Sequence, residues 1–127
     1  MVVPENLLYA KTHEWVQLID GKARVGLTDF AQDALGDIVF FNLPVTGSRV
    51  DAGDAIGEVE SVKAVSEIFS AVGGMICAVN DALLDSPELV NGMPYETWIF
   101  EIDDATGEEN LLSPEQYEAF CNEEAQS

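Results

Sequence analysis

Apolar and polar residues alternate along Glu14-Trp15-Val16-Gln17-Leu18 and again along Ala23-Arg24-Val25-Gly26-Leu27, with Asp20-Gly21 between the two runs. A period of two belongs to half-buried strands, and Asp-Gly between two such runs is a strong hairpin signal. Strands are therefore predicted near 13–19 and 23–27. Thr28-Asp29 supplies an N-cap and Gly36 a C′ glycine, which together bound a helix of about two turns. Its apolar residues Phe30, Ala31, Ala34 and Leu35 share one face. Residues 37–43 contain Ile-Val-Phe-Phe and read as a largely buried strand stopped by Pro44.

A second pair of strand-like runs, 55–60 and 64–69, encloses the short polar break Glu60-Ser61-Val62-Lys63. The break lacks Gly, Asn and Asp, so a type I turn without positive φ is expected, with Lys63 at its tip. Farther on, 70–74 reads as a turn, 75–79 as a strand, Asn80-Asp81 as a loop, 85–89 as one capped helical turn and 96–102 as the last strand. Val50-x-x-Gly53-x-x-Ile56 and Leu89-x-x-Gly92-x-x-Tyr95 share a spacing that two related half-sheets would leave. Ser113, Pro114 and Gln116 form a capping-box signature that predicts a terminal helix over 114–123. Many strands with helices at the margins predict a small β-sandwich or flattened barrel, one domain over 1–127.

Charge changes the picture more than composition does. Asp and Glu number 24 against 5 Lys and Arg, a formal net charge of −19. Such a surface repels nucleic acid and anionic membranes and attracts basic protein patches; an acid-biased proteome gives the same balance. Cys77 and Cys121 lie far apart in sequence, and with the single histidine, His13, they fall short of a four-ligand zinc set, so no metal site is predicted. Free thiols are expected. The N-terminus has neither a basic start nor an apolar core, and no apolar run reaches transmembrane length, so a cytoplasmic chain is expected.

Conventional catalysis has little to work with. A hydrolase triad would need His13, placed in an early strand beside Glu14 and Trp15, and no serine or cysteine has a nucleophile-elbow context. Gly73-Gly74 lacks nucleotide-binding spacing. What remains is Lys63, an amine that another enzyme can acylate, which removes its charge and leaves a long arm on a rigid hairpin.

The segments Tyr9-Ala10-x-Thr12-His13-Glu14-Trp15, Val25-Gly26-Leu27-Thr28-Asp29-Phe30-Ala31-Gln32, Gly57-x-Val59-Glu60-Ser61-Val62-Lys63-Ala64 and Asp85-x-Pro87-x-Leu89-Val90-Asn91 resemble, in order and spacing, the H protein family of the glycine cleavage system. The resemblance runs over nearly the whole chain. It implies a mainly β lipoyl/biotinyl-type barrel-sandwich hybrid with a short helix after the second strand and a C-terminal helix. It also implies a non-catalytic carrier with lipoic acid attached covalently to Lys63. The arm would take the aminomethyl group of glycine from the pyridoxal-phosphate-dependent glycine decarboxylase (P protein) and pass it to the folate-dependent aminomethyltransferase (T protein). Dihydrolipoamide dehydrogenase (L protein) would reoxidise it, and a lipoyl or octanoyl transferase or lipoate ligase would attach it. Thr12, Glu14 and Glu67 match the family's contacts to the loaded arm, where a hydroxyl and two carboxylates suit a cationic amine. Two features depart from the family pattern: Ala71 stands where proline is usual, and residues 95–98 are shorter than the usual glycine-containing loop.

Other readings remain open at this stage. Biotin carriers use a related hairpin but place their lysine between methionines, whereas Val62 and Ala64 flank Lys63. Lipoyl domains of 2-oxoacid dehydrogenases show Asp before the lysine, on long multidomain chains. The remaining three are a lipoyl donor outside glycine breakdown, an acidic structural protein with a bare Lys63, and an enzyme built around His13.

Overall fold

Two antiparallel sheets carry the chain in the computed structural model, which describes residues 1–126. In chain order the elements are β1 (Leu8–Tyr9), β2 (Glu14–Ile19), β3 (Lys22–Leu27), α1 (Asp29–Leu35), β4 (Ile38–Asn42), β5 (Arg49–Val50), β6 (Ala55–Ser61) and β7 (Val65–Phe69). There follow β8 (Gly73–Val79), α2 (Ala82–Asp85), α3 (Leu89–Gly92), β9 (Phe100–Thr106), a 3-10 turn (Glu108–Asn110) and α4 (Pro114–Gln126). One sheet has the order β1-β2-β3-β9-β8-β5 and the other β4-β6-β7. Val16, Val25, Ile76, Phe100 and Ile102 from the first share a core with Phe41, Val59 and Ile68 from the second. A smaller cluster of Leu7, Tyr9, Trp15, Tyr117 and Cys121 seats α4 on the first sheet. The expected mainly β hybrid is therefore present, as two sheets that do not close into one barrel.

Local signals predicted several elements well. Asp20 and Gly21 adopt φ of 50° and 80°, the positive values that a two-residue hairpin turn requires. The Thr28 hydroxyl accepts the Ala31 N–H at 3.2 Å and caps α1. At α4, Ser113 Oγ accepts the Gln116 N–H while the Ser113 N–H donates to Gln116 Oε1, the reciprocal pair of a capping box. Because β1 precedes the predicted hairpin, the short helix follows the third strand rather than the second.

Other expectations fail for tertiary reasons. Residues 37–43 do not form a largely buried strand: β4 lies on the three-stranded sheet, a register irregularity falls at Val39, and Val39 and Phe40 are both exposed while Ile38 and Phe41 are buried. The capped turn at 85–89 becomes two short helices separated at Ser86-Pro87. The last strand begins at Phe100, not Glu96, because Thr97 N–H bonds back to Met93 O and Asn80 Nδ2 takes Trp98 O. Gly73-Gly74 opens β8 instead of turning; a Cβ on Gly74 would lie 2.4 Å from Asp103 O, a close strand approach that only glycine allows. The two half-sheet motifs share no structure, since Gly53 sits in a turn at φ 94° and Gly92 ends helix α3.

Gly36 closes α1 at φ 77°, ψ −153°, a region that is essentially glycine-only. Asn91 on α3 locks this corner, donating to Gly36 O at 2.8 Å and accepting the Ile38 N–H at 2.9 Å. Gly36→Ala is expected to cost about 1–3 kcal/mol from backbone strain alone, measured as a lower urea midpoint at unchanged slope; an unchanged midpoint would contradict that geometry.

Candidate functional site

Strands β6 and β7 pair with Glu60 opposite Val65, so 61–64 form the turn between them. Ser61 N–H donates to Ala64 O at 2.8 Å, and Ser61 Oγ accepts the N–H groups of Lys63 and Ala64. Val62 N–H donates to Asp37 O at 3.0 Å, tying the tip to the corner after α1. None of the four turn residues has positive φ, as the residue types required. Lys63 is exposed and, among the described residues, its ammonium makes no ion pair. Its stem lies over Gly36: a Cβ placed there would be 3.5 Å from Lys63 Cε.

Beside this hairpin lies a cleft of about 170 Å³ whose walls include Thr12, Glu14 and Glu67, the three polar residues singled out in the sequence. Its apolar side comes from Leu27 and from Phe30, Ala31, Ala34 and Leu35 of α1. The structure thus brings the polar trio together and lays the lysine stem over the residue that follows Leu35. Lys63 itself does not line the cleft.

Glu14 is not the solvated strand-edge carboxylate that its position in the sequence allows. Its side chain is buried, with the Thr12 hydroxyl donating to Oε1 and the Phe69 N–H to Oε2 at 3.4 Å. Burial pushes its carboxyl up to about 8, since those two hydrogen bonds favour the ionised form but only partly offset lost hydration. Glu67, by contrast, is exposed on β7.

His13 precedes β2 at φ 72° rather than lying within the strand. Its Nδ1 is 2.8 Å from the Tyr117 hydroxyl, which lies 2.7 Å from Thr28 Oγ1, and its Nε2 is 2.8 Å from Glu124 Oε2. An Nε2–H tautomer satisfies the whole chain of bonds, with Tyr117 donating to Nδ1. The ring stacks on Phe30 at 4.5 Å. Both nitrogens meet residues of α4 while the ring packs on α1, so His13 ties the two helices together, and among the described residues its hydrogen-bond partners include no serine or cysteine. Burial raises the Tyr117 phenol as well.

Known proteins share this frame. Residues 7–124 match the family profile described as Glycine cleavage H-protein. The chain belongs to the glycine cleavage H-protein family. It is 50% identical over 125 residues to the glycine cleavage system H protein of Lachnoclostridium phytofermentans, covering 98% of each chain. Over 126 residues it is 52% identical to that of Oceanobacillus iheyensis, covering 97% of this chain and 100% of the other. The crystal structure of the H protein of Mycobacterium marinum superimposes with a TM-score of 0.84 at 36% identity, covering 97% and 99% of the two chains. Membership makes this chain a lipoyl-carrier component of glycine cleavage and not a catalyst. No helix among the described residues is long and apolar enough to cross a membrane.

Within the H-protein frame, two parts of the site escaped sequence reading. The apolar face of α1 was legible as a face, but none of its residues is fully buried: Phe30, Ala31 and Leu35 pack on the edges of the two cores and at the same time wall the cleft. Two alanines among its four apolar positions were the available signal, since small side chains leave room. The support of Glu14 by Phe69 N–H, across a separation of 55 residues, left no sequence trace.

Proposed function

We propose that Lys63 is the lipoylated residue of this carrier and that Thr12, Glu14 and Glu67 receive the loaded end of the arm. One observation carries the reading: an exposed amine, without an ion pair among the described residues, on a hydrogen-bonded turn stands beside a cleft lined by a hydroxyl and two carboxyl side chains. The residues fit the group. The ammonium is open to an acylating enzyme, and Gly36 leaves space for the stem on the side of the cleft-lining α1. Lys63 would hold the lipoyl group as an amide, and the dithiolane would supply a two-electron disulfide–dithiol couple able to carry the aminomethyl group of glycine from the P protein to the T protein and to be reset by the L protein. Ser61 and the Asp37 carbonyl keep the attachment point rigid while the arm swings, so delivery becomes effectively intramolecular. Leu27, Phe30 and Leu35 shield the cleft from water, and Thr12, Glu14 and Glu67 oppose a cationic amine.

The test is intact mass after incubation of the unmodified chain with lipoate, ATP and a lipoate–protein ligase. A gain of one lipoyl amide, mapped by peptide analysis to Lys63, is the expected result. No gain, or a gain on Lys11 or Lys22, would overturn the assignment.

A further inference from the structure

Two walls of the cleft beside Lys63 come from separate stretches of chain. Thr12, His13 and Glu14 belong to the turn that leads from β1 into β2, whereas Phe30, Ala31, Ala34 and Leu35 belong to α1. The His13 N–H donates to Ala10 O at 3.0 Å and the Ala10 N–H to Glu14 O at 2.9 Å, which closes the turn. His13 does so at φ 72°, a left-handed conformation that a residue other than glycine keeps only where its surroundings hold it. Those surroundings form a closed ring of bonds. The Thr28 N–H donates to His13 O at 3.1 Å, Thr28 Oγ1 lies 2.7 Å from the Tyr117 hydroxyl, and that hydroxyl lies 2.8 Å from His13 Nδ1. Since Thr28 caps α1, the ring joins the turn to the start of the helical wall twice, once through the backbone and once through α4. Tyr117 is fully buried and stacks on Tyr9, with ring centroids 4.6 Å apart. Apolar side chains of like shape at 13 and 117 would fill this space at little cost in stability. A satisfied chain of buried hydrogen bonds adds what packing alone does not, a fixed direction as well as a distance.

We propose that His13 and Tyr117 are positioning residues of the cleft: joined through the Tyr117 hydroxyl, they hold the turn carrying Thr12 and Glu14 against the start of α1 and so keep the aminomethyl group enclosed. The inference rests on the reading of the cleft as the shelter of the loaded arm, and deepens it by giving the C-terminal helix a part in that shelter. His13 and Tyr117 act through Thr12, Glu14 and Phe30, on which the His13 ring stacks. With the ring of bonds broken, the two walls move independently and water enters. Hydrolysis of the loaded thiol then returns the free thiol, with the carbon leaving as formaldehyde and the nitrogen as ammonia.

The experiment loads the full-length lipoylated chain with glycine and glycine decarboxylase, removes the enzyme, and follows loss of the aminomethyl mass with time. Tyr117→Phe deletes one hydroxyl and keeps the stack on Tyr9. His13→Asn tolerates the positive φ but does not reach Tyr117. Each should shorten the lifetime of the loaded form roughly fivefold, the worth of one hydrogen bond in an open–closed equilibrium. Because both break the same link, the double variant should be no worse than the worse single one. Ser113→Ala, which removes the cap of α4 without touching the ring, is the control for helix stability and should keep the wild-type lifetime. A wild-type lifetime in Tyr117→Phe overturns the proposal, and so does a loss in Ser113→Ala equal to that in Tyr117→Phe. Additive losses in the double variant overturn it too, since they mean two separate structural effects. Should Tyr117→Phe fail to fold, His13→Asn against Ser113→Ala decides by the same criteria. Glu14→Gln separates the two levels. An unchanged lifetime in that variant removes the cleft as shelter and this inference with it, whereas a shortened lifetime there beside an unchanged one in Tyr117→Phe removes the inference alone.

Discussion

Lys63→Arg is expected to abolish both lipoylation and glycine cleavage in the reconstituted system while leaving the folded chain as stable as before. Arginine keeps the positive charge, so the electrostatic surroundings of the turn barely change. Its guanidinium stays protonated and offers no amine for amide formation. The lysine side chain is exposed and makes no ion pair among the described residues, and the turn is held by Ser61 and Asp37 backbone and hydroxyl contacts that the substitution leaves in place. The stability change should therefore stay within about 0.5 kcal/mol, the range of ordinary surface substitutions. Activity should fall to background, because the proposed arm loses the amine it is attached through. Residual turnover well above background, or a large drop in the thermal midpoint, would show that Lys63 is structural or that a different lysine is used.

The second large effect concerns Glu14. Burial holds its carboxyl at about 8 in the folded chain, against an ordinary 4.5. Between those values the folded chain keeps a proton that the unfolded chain has lost. Stability therefore falls as pH rises through this window and levels off above pH 8. Glu14→Gln has no proton to exchange and should lose that slope: close to wild type at pH 4.5, and more stable than wild type at pH 8, as read from urea unfolding at the two pH values. Identical pH slopes in the two proteins would mean that Glu14 ionises freely. The same substitution should damage the carrier. A cationic amine entering the cleft would favour ionised Glu14, so with the proposed contact loading the arm should draw the carboxyl back down and release its proton. The glutamine amide offers a dipole where the wild type offers a charge, and Glu67→Gln removes the outer carboxylate. Both variants should be lipoylated at the normal rate and lose the aminomethyl group to water faster; equal lifetimes would dispose of the cleft as its shelter. A buried carboxylate destabilises the empty protein above neutral pH, and a role in holding a cation would account for its retention there.

Residues close in sequence made much of this readable in advance. Turn chemistry, caps and alternation reach only from i to about i+4, so the Asp20-Gly21 hairpin, helix α1 with its Thr28 cap, the α4 capping box and the lysine turn were all visible without coordinates. The same locality explains the errors. Ile38-Val39-Phe40-Phe41 looks buried as a string, and the irregularity against β6 that turns two of the four residues outward belongs to the pairing, not the string. The acidic run Glu101 to Asp104 has poor strand propensity, which shortened the predicted strand; β9 continues through it because β8 supplies partners as far as Thr106.

For the site, the chain alone indicated which chemistry is available: a lysine in a turn, one histidine without a nucleophile-elbow partner, few soft ligands for zinc, and a charge that makes nucleic acid a poor partner. Only the tertiary structure decided that Glu14 is buried, that His13 ties α4 to α1, that the face of α1 borders a cleft, and that the Lys63 stem crosses Gly36 beside it. Each of these joins residues that are distant along the chain, and burial, which sets the proton affinity of Glu14, is a property of the packed surroundings and not of any stretch of sequence.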